Sequence, residues 1–300
     1  MKQFVILSGK GGTGKTSVAA AFAHLASMEE LSIRTVLTDA DVDAANLELV
    51  LAPQILDQQE FWGGKVAIID TDNCNGCGTC EQVCRFDAVL EDDNVYRVDP
   101  IACDGCAACV YQCPTEAIHM EEQLAGQWFR SMSRYGPMFH AALRPAQENS
   151  GKLVTMVKQQ ARLLAMDEDY ELVLVDGPPG IGCPVISAVS GADLALIVAE
   201  PTAAGVHDMH RILETTTHFD VRALVCINKA DLYPPGTAEI EGFCREQGID
   251  VIGRIPFDMA VTASMVQGQP VTESHPEAPA SQALKKIWAE SVKIIREDEI

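Results

Sequence analysis

The sequence predicts a doubly wound α/β fold, a mostly parallel sheet with helices on both faces, interrupted by a cysteine-rich insert. Three observations predict it. Residues Gly9–Thr16 read Gly-Lys-Gly-Gly-Thr-Gly-Lys-Thr between a short apolar run and an Ala-rich stretch. Apolar runs later in the chain end in acidic residues, at Asp39 and Asp176, as buried parallel strands do beside a phosphate site. Between those runs lie eight cysteines in two sets of identical spacing.

The Gly9–Thr16 stretch fits G-x-x-x-x-G-K-[ST], a phosphate-binding loop. Gln3–Ser8 reads as a strand buried on both faces, and Ser17–Met28 as a helix unbroken by Gly or Pro. Gly9, Gly11, Gly12 and Gly14 let the backbone around Thr13 wrap a phosphate with its N–H groups. The helix that opens at Ser17 adds its positive end. Lys15 is placed to reach the β- and γ-phosphates, and the Thr16 hydroxyl to sit on Mg²⁺. Lys10 is a second lysine that phosphate binding alone does not require.

Composition narrows the function. Three hundred residues with 47% hydrophobic content can form a full core. A net charge of −21 and a pI near 4.6 repel phosphate backbones and anionic lipid, so no nucleic-acid partner is expected. No apolar run reaches 18 residues, so no stable membrane insertion is expected. The first strand begins at once after Met1, leaving no room for a signal peptide, and the expected location is cytoplasmic. There, eleven cysteines point to metal or redox chemistry rather than to disulfides.

The second strand, Arg34–Thr38, leads into Asp39-Ala40-Asp41-Val42-Asp43, and a short helix is expected over Ala44–Leu51. Leu51–Gly64 reads as a linker. Cys74, Cys77, Cys80 and Cys84 then follow the spacing C-x₂-C-x₂-C-x₃-C, and Cys103, Cys106, Cys109 and Cys113 repeat it. The repeat extends beyond cysteine, with Val66–Asp70 answered by Val95–Asp99 at a period of 29 residues. This pattern resembles the bacterial two-cluster ferredoxins, in which the fourth Cys of each run ligates the other cluster. The resemblance implies an inserted ferredoxin-type α+β domain over residues 65–119 with two [4Fe–4S] clusters. One would take Cys74, Cys77, Cys80 and Cys113, and the other Cys103, Cys106, Cys109 and Cys84. Zinc is the competing metal, but it needs only two Cys pairs per ion. Arg85 departs from the pattern where Pro114 stands in the second repeat.

Glu121–Asn149, rich in Met, Gly, Pro and aromatic residues, has no legible structure. Lys152–Met166 returns to helical spacing, with Leu153, Val157, Ala161 and Leu164 on one face. Leu172–Val175 is a strand ending in Asp176-Gly-Pro-Pro-Gly, where a carboxylate can hold Mg²⁺. Strands are expected over Asp193–Ala199, ending at Glu200, over Val221–Ile227 and over Val251–Ile255. Cys226 and Cys244 read as core, Cys183 as a buried or semi-buried thiol after the Asp176 loop, and His207 and His210 as one polar helix face. The last helix, Ala280–Arg296, carries Leu284, Ile287, Trp288 and Val292 on one face. It reads as packing on the sheet, because the acidic end Glu297–Ile300 is repelled by anionic lipid.

The loop with its second lysine, the paired acids and the Asp176 loop together resemble the deviant Walker A P-loop ATPases of the MinD/ParA superfamily. That group includes the nitrogenase iron protein and Mrp-type relatives. The resemblance spans residues 1–64 and 120–300 as the ATPase domain, and it implies ATP/ADP and Mg²⁺ as cofactors. It assigns Lys10 to the nucleotide of a partner subunit, Asp39 and Asp176 to the metal side, and Asp41 to the attacking water. Asn228, Asp231 and Pro256 fall at the base pocket. Asn228-Lys-Ala-Asp231 taken alone suggests guanine, whereas the deviant loop favours ATP. The implied function is ATP hydrolysis coupled to electron transfer. The partners are a nucleotide-dependent homodimer, or a heterodimer with a paralogue, and a redox partner or small metal-cofactor protein. The alternatives are a metal-cluster assembly or carrier ATPase, and a spatial-positioning ATPase that senses redox state.

Overall fold

A computed structural model of the chain describes residues 1–28, 32–92, 95–145 and 150–297. The expected acidic tail beyond Glu297, and residues 146–149 of the illegible segment, lie outside the described residues. The chain divides into two compact units. The first comprises Met1–Gln59, Trp128–Ala142 and Ser150–Ile300, and the second comprises Glu60–Gln127 and Leu143–Asn149.

The elements run β1 (Lys2–Ser8), α1 (Lys15–Ser27), β2 (Thr35–Asp39), α2 (Leu47–Leu51), β3 (Gln54–Ile69), α3 (Thr79–Val83), β4 (Val89–Asp92), β5 (Val95–Val98), α4 (Ala108–Gln112), β6 (Ile118–Ser133) and β7 (Gly136–Leu143). They continue with α5 (Ser150–Asp167), β8 (Leu172–Pro179), α6 (Cys183–Val189), β9 (Leu194–Ala199), α7 (Ala203–His218), β10 (Arg222–Asn228), α8 (Pro234–Gln247), β11 (Asp250–Ile255), α9 (Met259–Val266), α10 (Val271–Ser274) and α11 (Pro279–Glu297).

The sheet order is β11-β10-β9-β1-β8-β2-β7-β6-β3. The pairings from β11 through β7 are parallel. β1 lies at the centre between β8 and β9, which is why all its residues from Phe4 to Leu7 are fully buried. Alternation then sorts the helices. Phe4, Ile6, Leu172, Leu174, Leu194 and Leu196 face one core with α1 and α11. On the other face α5, α6 and α7 pack on the sheet. The helix face expected from Leu153, Val157, Ala161 and Leu164 is buried as predicted, and so is that of Leu284, Ile287, Trp288 and Val292.

Trp288 is the largest side chain with no exposure, and its ring lies 5.0 Å from that of Phe22 on α1. Its indole N–H has no partner among the described residues. Trp288→Ala is expected to destabilise the chain by about 3–5 kcal/mol through lost burial and a residual cavity. Trp288→Phe should lose far less, since it also removes an unpaired donor. Urea unfolding followed by circular dichroism measures both.

Three segments differ from expectation. Leu51–Gly64, expected to be a linker, is mostly strand: β3 begins at Gln54. Its first seven residues are all exposed, so they make a strand without a buried face and show no period-2 apolar signal. The segment after His119 forms β6 and β7, joined by the tight turn at Arg134-Tyr135. Buried His140 on β7 joins this hairpin to α2, with Nδ1 2.7 Å from the Glu48 carboxylate and Nε2 2.9 Å from the Ser131 hydroxyl. The helix expected from Ala44 starts only at Leu47, because Ala44 N–H closes a turn onto the Asp41 carbonyl. Among the described residues no helix is long and apolar enough to cross a membrane.

The second unit repeats its backbone as well as its sequence. Left-handed residues recur in pairs 29 apart: Gly76 and Gly105 (φ 70 and 72), Gly78 and Ala107 (71 and 61), Asp87 and Glu116 (49 and 53). The two repeats bond reciprocally, Asp70 N–H to the Ala117 carbonyl and Asp99 N–H to the Ala88 carbonyl. Each half thus completes the other, and Cys80, Val89, Tyr96 and Ile118 form a small shared core.

Candidate functional site

The site lies at the C-terminal ends of the central strands. Gly9–Gly14 turns the chain from β1 into α1, with Gly12 and Gly14 in left-handed backbone at φ 80 and 95. No side chain caps the first turn of α1, so its N–H groups remain available for an anion. Gly9 is required sterically: a Cβ there would fall 2.1 Å from that of Asp208 on α7. Lys15 is 5% exposed. A cavity of about 570 Å³ is lined by Gly12, Gly14, Lys15, Thr16, Asp41 and Pro178, among others. Phosphate loop, first acidic loop and Asp176 loop therefore open on one space.

Asp39 and Asp176 are register partners on the adjoining parallel strands β2 and β8. Both are buried. Asp39 is already engaged: its carboxylate accepts the Asp41 N–H at 3.0 Å and the Leu47 N–H at 3.0 Å, which holds the first acidic loop and the start of α2. Burial, and next the Asp176 charge, drive its pKa well above the ordinary carboxylate range. Asp176 is different. Neither of its oxygens meets a geometrically complete hydrogen bond among the described residues. Burial pushes its pKa up to about 7, against the pull of Lys15 and of the nearby Thr16 hydroxyl. An orphaned carboxylate beside a hydroxyl is the donor set a divalent cation satisfies, so these residues fit Mg²⁺. Asp41 is also raised, by burial opposed by Lys15.

A second cavity, of about 490 Å³, is lined by Ala230, Asp231, Pro234, Thr237, Arg254 and Pro256. Asp231 accepts the Phe257 N–H at 2.6 Å, which closes its rim. Asn228 is not turned toward this cavity's lining residues; its amide donates to the Thr13 carbonyl at 2.7 Å. Lys10 is paired within its own chain, 3.1 Å from the Glu200 carboxylate.

Beyond the Asp176 loop, buried Lys158 on α5 donates to the carbonyls of Ser187, Ala188 and Ser190 at 2.7, 2.5 and 2.9 Å. It caps the C-terminal end of α6. Burial lowers its pKa to about 7. Cys183, expected to be at least half-buried, is exposed at the start of α6; Cys226 and Cys244 are buried as expected, and His210 stacks on Phe243 at 3.7 Å.

In the second unit, Cys77 and Cys113 from opposite repeats lie near enough for charge to act between them, as do Cys80, Cys74 and Cys77. Cys109, Cys103 and Cys106 form a corresponding set. The fourth cysteines are fixed alike: Cys84 Sγ accepts the Ala88 N–H at 3.4 Å and Cys113 Sγ the Ala117 N–H at 3.3 Å. Among the described residues no three His, Cys, Asp or Glu side chains converge to hold a single metal ion.

A family profile described as the CobQ/CobB/MinD/ParA nucleotide binding domain matches residues 4–271. The chain belongs to this family. An uncharacterized protein of Methanocaldococcus jannaschii is 36% identical over 227 residues, 76% of this chain and 78% of that protein. A putative septum site-determining protein MinD of Chlorella vulgaris is 26% identical over 271 residues, 89% and 76% of the two chains. Among solved structures, the septum site-determining protein MinD complexed with Mg-ADP from Pyrococcus horikoshii OT3 shares the fold. Its TM-score is 0.60 at 18% identity, covering 98% of this chain and 96% of that one. The CobQ/CobB/MinD/ParA fold thus holds the phosphate loop and both acidic loops together in this chain. Sequence reasoning placed Glu200 at a strand end without a role and missed Lys158, since the partners of both come from distant strands and helices that only the fold brings near.

Proposed function

We propose that the chain is a Mg-ATP-hydrolysing switch whose second unit holds two [4Fe–4S] clusters, so that nucleotide state governs electron transfer. The cavity lined by Lys15, Thr16 and Asp41, together with the orphaned Asp176 carboxylate, supports the nucleotide half. Gly9–Ser17 wraps the phosphates, and Lys15 offsets their charge. Thr16 and Asp176 hold Mg²⁺, Asp39 keeps the first acidic loop in register from the metal side, and Asp41 orients the attacking water. Asp231 and Pro256 flank the base, and Asn228, expected at the base from sequence, instead ties the end of β10 to the phosphate loop. Lys10 crosses to the nucleotide of a second subunit, a homodimer or paralogue.

The observation that carries the redox half is the duplicated cysteine unit, whose two repeats bond reciprocally through Asp70 to Ala117 and Asp99 to Ala88. Cys74, Cys77, Cys80 and Cys113 would hold one cluster, and Cys103, Cys106, Cys109 and Cys84 the other, over a domain of about residues 65–119. When bound, such clusters supply one-electron redox chemistry at potentials set by charge, hydrogen bonds to sulfur and exposure. The Ala88 and Ala117 N–H groups are two such hydrogen bonds.

Lys10→Ala is expected to abolish ATP turnover while leaving the cluster absorbance intact. Reduction monitored by EPR with and without Mg-ATP tests the coupling: a signal indifferent to nucleotide would remove it. A second reading, a spatial-positioning ATPase whose cysteine unit senses redox state, is favoured by relatives named putative septum site-determining proteins. Fluorescent tagging in cells separates the two, since positioning requires a nucleotide-dependent location.

A further inference from the structure

Glu200 is only 8% exposed, and a carboxylate held that far from water needs partners. It has two. Oε2 lies 3.1 Å from Lys10 Nζ and Oε1 lies 2.5 Å from Lys229 Nζ. Strand order explains the row. β9 runs between β1 and β10, with Ile197 opposite both Leu7 and Val225. Lys10 follows the end of β1, Glu200 the end of β9, and Lys229 the end of β10. Three adjacent strand ends therefore deliver lysine, glutamate, lysine side by side. The Ser8 hydroxyl donates to the Lys10 carbonyl at 2.8 Å and fixes that backbone. Lys229 adopts left-handed backbone at φ 55, uncommon for a residue with a long side chain. Its ammonium also reaches the Gly12 carbonyl at 3.4 Å.

We propose that Glu200 is a positioning residue that holds Lys10 within its own chain and yields it to the phosphates of a second subunit, while Lys229 stays on the carboxylate. This rests on the trans-lysine reading above. Lys10 cannot serve both the Glu200 carboxylate and a partner's nucleotide. Taking Lys10 away from a carboxylate with no other partner would leave a desolvated charge exposed to nothing. Lys229 removes that penalty, so the exchange becomes a competition between one carboxylate and a polyphosphate. A triphosphate, carrying more charge than a diphosphate, wins it more readily. The same acid thus discourages pairing of nucleotide-free chains and permits pairing of loaded ones.

Sedimentation of the full chain, titrated with Mg²⁺ and a non-hydrolysable ATP analogue, tests this with three variants. Glu200→Gln keeps the shape and removes the charge, and its dimer midpoint is expected at about threefold to tenfold lower analogue concentration. Lys229→Met leaves Lys10 as the sole partner of Glu200, and its midpoint should move the other way by a similar factor. A merely structural role would move both variants in one direction, and that result overturns the latch. So does an unchanged Glu200→Gln midpoint alongside a weakened Lys10→Ala dimer, which leaves the trans-lysine reading standing. A Lys10→Ala chain that dimerises like the wild type removes that reading itself. Should Glu200→Gln lose its fold by circular dichroism, the Lys229→Met arm decides alone.

Discussion

Without nucleotide, Asp176→Asn is expected to unfold at a higher temperature than the wild type at pH 8 and at nearly the same temperature at pH 4. The Asp176 pKa rises in the fold to about 7, because burial outweighs the attraction of Lys15 and Thr16. An acid raised in this way destabilises nothing below its unfolded pKa, where it is neutral in both states. Between about pH 4 and pH 7 the unfolded chain releases the proton and the folded chain keeps it, so stability falls across that window. The loss is on the order of 2–4 kcal/mol once pH passes the folded pKa. Asparagine does not incur it. For a unit of this size the gap at pH 8 corresponds to about 5–10 °C. The ligand response runs the other way. A cation takes the ionised carboxylate, so the Mg-nucleotide shift of the wild type should grow from pH 5 to pH 8. Asp176→Asn should lose most of that shift. A thermal gap equal at pH 4 and pH 8 would refute the assignment of a strained carboxylate.

Cysteine substitutions should show a pattern of non-additivity that spacing alone does not reveal. Anaerobically reconstituted chain is expected to bind about eight irons. Cys77→Ala and Cys113→Ala each remove a ligand from one predicted cluster, leaving about four irons. The double variant should also retain about four, since both residues serve one cluster although they stand in different repeats. Cys84→Ala with Cys113→Ala should lose both, although these two occupy the same place in their repeats. The basis is the reciprocal bonding of the two repeats together with the matched geometry of Cys84 and Cys113. Iron and sulfide analysis distinguishes the pairs. If Cys77→Ala with Cys113→Ala emptied the unit, each repeat would hold its own four ligands and the exchange would be wrong.

The central sheet was legible because burial on both faces leaves a continuous apolar run. Expected strand Leu172–Val175 lies inside β8, and expected strand Gln3–Ser8 inside β1. The helix read at Ala280–Arg296 differs from α11 by one residue at each end. Illegible elements lacked a buried face or took their order from afar. The first seven residues of β3 expose every side chain. His140 is held by Glu48, Ser131 and the Phe129 ring, none of which lies at helical or strand spacing from it in sequence. At the site, Gly9–Thr16, Asp41 and Asp176 announced themselves by position at strand ends. Asp39 was read as a metal-side acid from the same pattern, but its two backbone bonds depend on where α2 begins. Glu200 was placed at a strand end but given no role, because its lysine partners come from the ends of the two neighbouring strands, which the sequence does not order.

β1 carries one further consequence. Lys2 through Ile6 pair with residues 172–176, and Phe4 through Leu7 with residues 194–197. β1 therefore waits for some 170 further residues before its first neighbour exists. At about 5–20 residues per second that is on the order of ten seconds or more. Throughout that interval an exceptionally apolar segment is exposed on the nascent polypeptide, while the reciprocal bonds near Asp70 and Asp99 can already form. The cysteine-rich module is thus positioned to mature first, and the centre of the sheet is assembled last around its oldest strand.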